Sequence, residues 1–159
     1  MKTENDIDMR YFKYSEFDSP LEKGSGMRMK KSTLTKLIQA REEYGWPLRI
    51  TSGFRVQADF ERLKSKGYEV ARNSSHFKGY AADLLDLRGM TTERFVALCE
   101  AMWNAGFRRF GIMRGALHVD DDPTKNAPRI WKYANTPDHL WEKMRKWFDA
   151  KNKPHDSPN

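Results

Sequence analysis

Two histidines and one aspartate stand where they could meet a metal ion. His76 and Asp83 lie seven positions apart in Ser74-Ser75-His76-Phe77-Lys78-Gly79-Tyr80-Ala81-Ala82-Asp83, and Gly79 between them permits a tight bend. Imidazole nitrogen and carboxylate oxygen are typical zinc ligands, and His118, arriving from a later hairpin, would complete a three-ligand set with a fourth position left for water. Water at such a position has a pKa of about 7 and serves as a nucleophile, so the chemistry indicated is hydrolysis. Spacing alone fits equally well a histidine and an aspartate that satisfy local hydrogen bonds in a loop, which is the commoner arrangement.

The elements that must position these residues are legible from periodicity. Residues 30–44 place Leu34, Leu37 and Ile38 on one face, with Ser32 as expected cap and Gly45 as stop, which predicts a helix. Trp46 to Thr51 reads as a short strand closing at Ser52 and Gly53, and residues 56–66, with only Phe60 and Leu63 apolar at helical spacing, as a surface helix. Residues 67–79 have loop composition and feed a largely apolar strand at 81–87. The strongest helix spans 92–105, where Phe95, Leu98, Cys99, Met102 and Trp103 form a stripe between a Thr91 cap and a Gly106 stop. Residues 108–113 and 116–120, joined by Arg114 and Gly115, read as a β-hairpin. A last helix, with Thr136 as cap and Pro137 in its first turn, is expected to bury Leu140, Trp141, Met144, Trp147 and Phe148. Strands mixed irregularly with helices and hairpins predict a single α+β domain built on a small antiparallel sheet. Its expected bounds are a flexible N-terminus at 1–9, the folded domain at 10–150 and a disordered polar tail at 151–159.

Composition narrows the classes. A chain of 159 residues with 38% hydrophobic side chains can bury one core, and no internal repeat marks a second unit. Cys99 is the only cysteine, so neither an intramolecular disulfide nor an all-cysteine metal site can form, and its place on an apolar helix face reads as core. A formal charge of +7 draws the surface toward polyanions. The basic run Arg28, Lys30 and Lys31 reads as a solvated face, because no helix-turn-helix, zinc-finger or RNA-binding signature accompanies it, and no specific nucleic-acid partner is expected. No signal peptide and no membrane-length apolar run is present, so the expectation is a monomer made in the cytoplasm without membrane insertion.

The stretch from Ser74 to Asp83 resembles the Ser-x-His-x-x-Gly-x-Ala-x-Asp signature of zinc D-alanyl-D-alanine carboxypeptidases and L-alanyl-D-glutamate endopeptidases at every position. Thr51-Ser52-Gly53-Phe54-Arg55 upstream and Leu117-His118-Val119-Asp120 downstream look like further elements of the same family in the same order. The resemblance runs from about Tyr11 to Trp131 and is closest to short single-domain members from bacteria and small phages, which share their fold with the hedgehog signalling domain. It implies one zinc ion per chain held by His76, Asp83 and His118, a substrate carboxylate or carbonyl bound by Arg55, and a substrate contact from Ser74. The implied substrate is the stem peptide of bacterial peptidoglycan, reached after lysis-type release or delivery in a virion.

One position departs from the family pattern. Many members carry a glutamate or aspartate as general base three residues before the last histidine, where this chain has Gly115. Asp120, two residues beyond His118 on the same strand face, is the expected substitute, and its alternative role is to hold His118 in one tautomer. The rival to a peptidase is therefore a zinc-containing wall-binding module without catalysis. Asp121 and Asp122 read as ordinary loop carboxylates, and His139 and His155 lie outside the metal set.

Overall fold

The computed structural model describes residues 7–154. The expectations for positions 1–6 and for the tail from His155 onward lie outside the described residues. Among the described residues, four α-helices, α1 (Lys31–Tyr44), α2 (Ala58–Ser65), α3 (Thr92–Ala105) and α4 (Asp138–Lys151), accompany five strands, β1 (Leu48–Ser52), β2 (Ala81–Asp86), β3 (Arg109–Met113), β4 (Ala116–Asp120) and β5 (Arg129–Lys132). The strands form one sheet in the order β1-β2-β4-β3-β5. The first three pairings are antiparallel, while β5 runs parallel to β3. The α+β class agrees with the sequence reading, but the sheet is mixed and not purely antiparallel, because a long loop after β4 returns the chain beside β3 in β3's own direction.

Pleating gives this sheet two unlike faces. Leu84, Leu117 and Ile112 align across β2, β4 and β3, as do Ala82, Val119 and Phe110, and all six are fully buried. Against that apolar face pack α1 through Leu34, Leu37 and Ala40, α3 through Phe95, Leu98, Cys99 and Met102, and α4 through Leu140, Met144 and Phe148. The helical spacing of these residues is the reason the helices form where they do, since a continuous apolar stripe must find a partner surface. Trp141 and Trp147 are only partly buried at its margin, and Ile7 and Met9 pack against the same core from before the expected domain start.

Helix ends show where capping was misread. Thr91 accepts from Arg94 N–H at 3.2 Å and Gly106 ends α3 in the left-handed region at φ +116°, as the sequence indicates. Ser32, however, lies inside α1, whose cap position is Lys30. Thr136 does not cap α4 either: its hydroxyl donates to the carbonyls of Ile112 at 2.7 Å and Tyr133 at 2.9 Å, fastening the end of β5 to β3. Among the described residues no helix is long and apolar enough to cross a membrane.

Candidate metal centre

The second face of the sheet carries polar residues in register. Ser52 on β1 stands opposite Asp83 on β2, Asp83 opposite His118 on β4, His118 opposite Gly111 on β3, and Gly111 opposite Trp131 on β5. One transverse row thus crosses all five strands. Ser52 joins it only because the β1 register shifts between Ile50 and Ser52, a bulge that turns Ser52 from the alternation of Ile50 onto this face. A neighbouring row aligns Ala81, Asp120, Arg109 and Arg129.

His76 reaches the row from a 3-10 turn at Ser75–Lys78, where the Ser74 hydroxyl accepts from the His76 N–H at 3.3 Å and Gly79 closes the turn at φ +81°. Its Nδ1 lies 2.8 Å from the carbonyl of Gly53, an acceptor only, so Nδ1 bears the hydrogen and Nε2 points inward. In His118 the assignment is reversed. Its Nε2 donates to Oδ2 of Asp120 at 2.8 Å, and Nδ1 points inward. The inward atoms converge: His76 Nε2 lies 3.2 Å from Asp83 Oδ1 and 3.3 Å from His118 Nδ1, and His118 Nδ1 lies 2.8 Å from Asp83 Oδ1. A tetrahedral ion with ligands at about 2.0–2.1 Å places its donor atoms about 3.3 Å apart, so these three buried groups match the size and chemistry of a zinc site.

Electrostatics agree with a cation-binding cluster. Burial alone would raise the Asp83 carboxyl, yet His76 and His118 beside it outweigh burial and hold it well below the usual carboxylate range. Burial pushes His76 down, toward the neutral form that a metal ligand needs. Burial acts on His118 in the same sense, but its bonds to Asp120 and Asp83 prevail and raise it.

The residues around these three inward-facing groups fall into distinct places. Arg55 is held at the edge of the cluster, with Nε donating to Ser52 Oγ at 3.0 Å, Nη2 to Asp83 Oδ2 at 3.3 Å, and its backbone N–H to the His76 carbonyl at 3.1 Å. Asp120 is 1% exposed, and besides His118 it accepts from Arg109 Nε at 2.7 Å. It therefore stands behind His118, with the imidazole between its carboxylate and the inward-facing donors, and both its oxygens are engaged; the expected approach of Asp120 to a metal-bound water is not what the geometry provides. Gly115 sits at the hairpin turn with φ +78° and open space around it. His139 is exposed on α4.

Sequence reasoning missed several supports. Asp122, read as an ordinary loop carboxylate, is 3% exposed and binds Ser75 Oγ at 2.8 Å, Thr124 and Lys78, tying the His76 turn to the segment after β4. Asp121 bonds Thr33 and Lys36 of α1. Trp131 and Tyr133, with rings 5.3 and 6.4 Å from that of His118, were also unread; their alternation around Lys132 was the available signal.

A family model described as Peptidase M15 matches residues 10–120, more than half of the chain. Among solved structures, the chain is similar to the L-Ala D-Glu endopeptidase ChiX of Serratia marcescens, at 17% identity and a TM-score of 0.44, over 50% of this chain and 62% of that one. No curated protein matches. The chain belongs to the peptidase M15 family.

Proposed function

We propose that this peptidase M15 member holds one zinc ion on His76, Asp83 and His118 and hydrolyses peptide bonds in peptidoglycan stem peptides, as a D,D-carboxypeptidase or an L-Ala-D-Glu endopeptidase. The observation that carries the reading is the convergence of three buried donors at 2.8 to 3.3 Å with Arg55 at their edge. The likeness of residues 51–55, 74–83 and 117–120 to peptidoglycan peptidase motifs supplies the substrate class. A net charge of +7 favours an anionic wall polymer.

A zinc ion held there supplies a polarised carbonyl and a water of pKa about 7. The chain's own residues do the positioning. Arg55, a planar fork fixed by Ser52 and Asp83, orients a substrate carbonyl or carboxylate. Ser74, at the rim of the His76 turn, contacts the peptide. Asp120 is read as a positioning residue, since its carboxylate fixes the tautomer and tilt of His118.

The second reading, a zinc-containing wall-binding module, is favoured by Gly115 at the usual base position and by the full occupation of Asp120. Digestion of purified peptidoglycan with zinc-loaded protein, followed by mass spectrometry of the muropeptides with His76→Ala as control, separates the two. Shortened or split stems from the wild type alone support the peptidase and identify the bond, and intact stems with zinc bound support the module.

A further inference from the structure

The roles given above leave unexplained why the row through the metal ligands continues to Gly111 and Trp131. A glycine in the middle of a strand lowers stability and marks a place where something approaches the backbone closely. At Gly111 that something is aromatic. A Cβ built there would lie 2.7 Å from Cε2 of Tyr133 and 2.9 Å from Cε2 and Nε1 of Trp131, closer than real contacts allow. The two rings fill the side-chain space of Gly111 and so come to rest against His118, each tilted to it by close to 60°.

Tyr133 is firmly mounted. Its N–H donates to the Ile112 carbonyl at 3.0 Å, and its own carbonyl accepts from the buried Thr136 hydroxyl. Its ring centroid lies 6.4 Å from that of His118 and 6.4 Å from that of Trp131, so the side chain borders the candidate metal cluster. A phenol is a donor at neutral pH, and an indole N–H can only donate, so Trp131 cannot consume the Tyr133 hydrogen.

We infer that Trp131 and Tyr133, at the end of the row away from Ser52 and Arg55, form the substrate-side wall of the metal site, and that the Tyr133 hydroxyl donates to the oxygen of the scissile carbonyl as charge builds on it. This rests on the peptidase reading. It supplies a second fixed donor in a buried site, where such donors act on the transition state more than on the bound substrate. Gly111 is the residue that makes room for it.

The test compares wild type, Tyr133→Phe and Gly111→Ala, all zinc-loaded, by calorimetric binding of a phosphinic dipeptide analogue, whose phosphinyl oxygens stand in for the developing oxyanion, and by kcat and KM on a stem tetrapeptide. Tyr133→Phe is expected to keep one zinc per chain and an unchanged KM while losing on the order of 10²-fold in both analogue affinity and kcat. Gly111→Ala, which keeps the hydroxyl but displaces the rings, loses affinity in the same direction. Undiminished analogue affinity in Tyr133→Phe, loss of its zinc, or failure of the wild type to bind the analogue overturns the inference. A wild type that binds the analogue but cleaves no stem peptide defeats the peptidoglycan reading alone, and the affinity ratio still decides the role of Tyr133.

Discussion

Asp120 and His118 lie on one face of β4 with Oδ2 and Nε2 2.8 Å apart, and the same carboxylate binds Arg109 through Oδ1 at 2.7 Å. Arg109 and Asp120 are themselves register partners on adjacent strands, so backbone pairing fixes the geometry of the whole relay. The consequence is a histidine whose free nitrogen can point only toward Asp83 and His76. Loss of that orientation and loss of a general base have different signatures.

Asp120→Asn keeps an acceptor but removes the charge that holds His118. We expect zinc affinity to fall by about 10- to 100-fold and activity to return at saturating zinc. Zinc titration by competition with a chelator, alongside activity, checks this; unchanged zinc affinity with activity abolished would make Asp120 the base. Asp120→Ala, which strands the buried Arg109, is expected to cost about 3–5 kcal/mol of stability.

Removal of the proposed zinc should weaken the fold around the row, because His76, Asp83 and His118 would lose their common partner. With free zinc at about 100 times its Kd the bound form gains about 2.7 kcal/mol, which corresponds to about 5–10 °C in Tm for a domain of this size. Chelation should lower the Tm of the wild type by that amount and leave His76→Ala unmoved, as scanning calorimetry would record.

Gly53 lets the Thr51–Arg55 segment pass against Phe17, since a Cβ there would lie 2.6 Å from Cα and 2.7 Å from the carbonyl oxygen of Phe17. Gly53→Ala should cost about 1–3 kcal/mol in urea unfolding and weaken zinc binding, because the Gly53 carbonyl orients His76. Stability and zinc affinity equal to wild type would show that this approach is not tight.

Asp122 links pH to the same turn. Burial alone would raise its carboxyl, but hydrogen bonds from Thr124, Ser75 and Lys78 bring it down to about 2, below the ordinary carboxylate value of about 3.9. A depressed folded-state pKa contributes stability that is full above the unfolded value and is lost as pH falls through the folded one, here from about 4 to about 2. Asp122→Asn should remove about 1–2 kcal/mol at neutral pH and flatten that part of the acid-unfolding curve. A mutant curve parallel to wild type between those values would contradict the assignment.

The legible parts of the fold were those with local signals. Helix α3 could be read to its end residues because an apolar stripe, a capping threonine and a terminal glycine coincide. Strand β5 gave no such signal: Arg129 and Lys132 flank only two apolar residues, and its parallel pairing with β3 depends on a loop whose course no periodicity records. The same holds at the site. Residue types and the β4 alternation put His118 and Asp120 on one face, but whether Asp120 met a water or a ring nitrogen depended on the imidazole's rotation and on Arg109 one strand away. Gly111 and Tyr133 were invisible for that reason too, since their meaning lies in cross-strand neighbours.

The most direct measurement is the release of new α-amino groups from purified peptidoglycan by metal-free protein titrated with zinc. Release is expected to rise with added zinc, to saturate at one equivalent per chain and to be absent in His76→Ala. One equivalent bound without any new amino groups would contradict the peptidase reading and leave a metal-containing binding module.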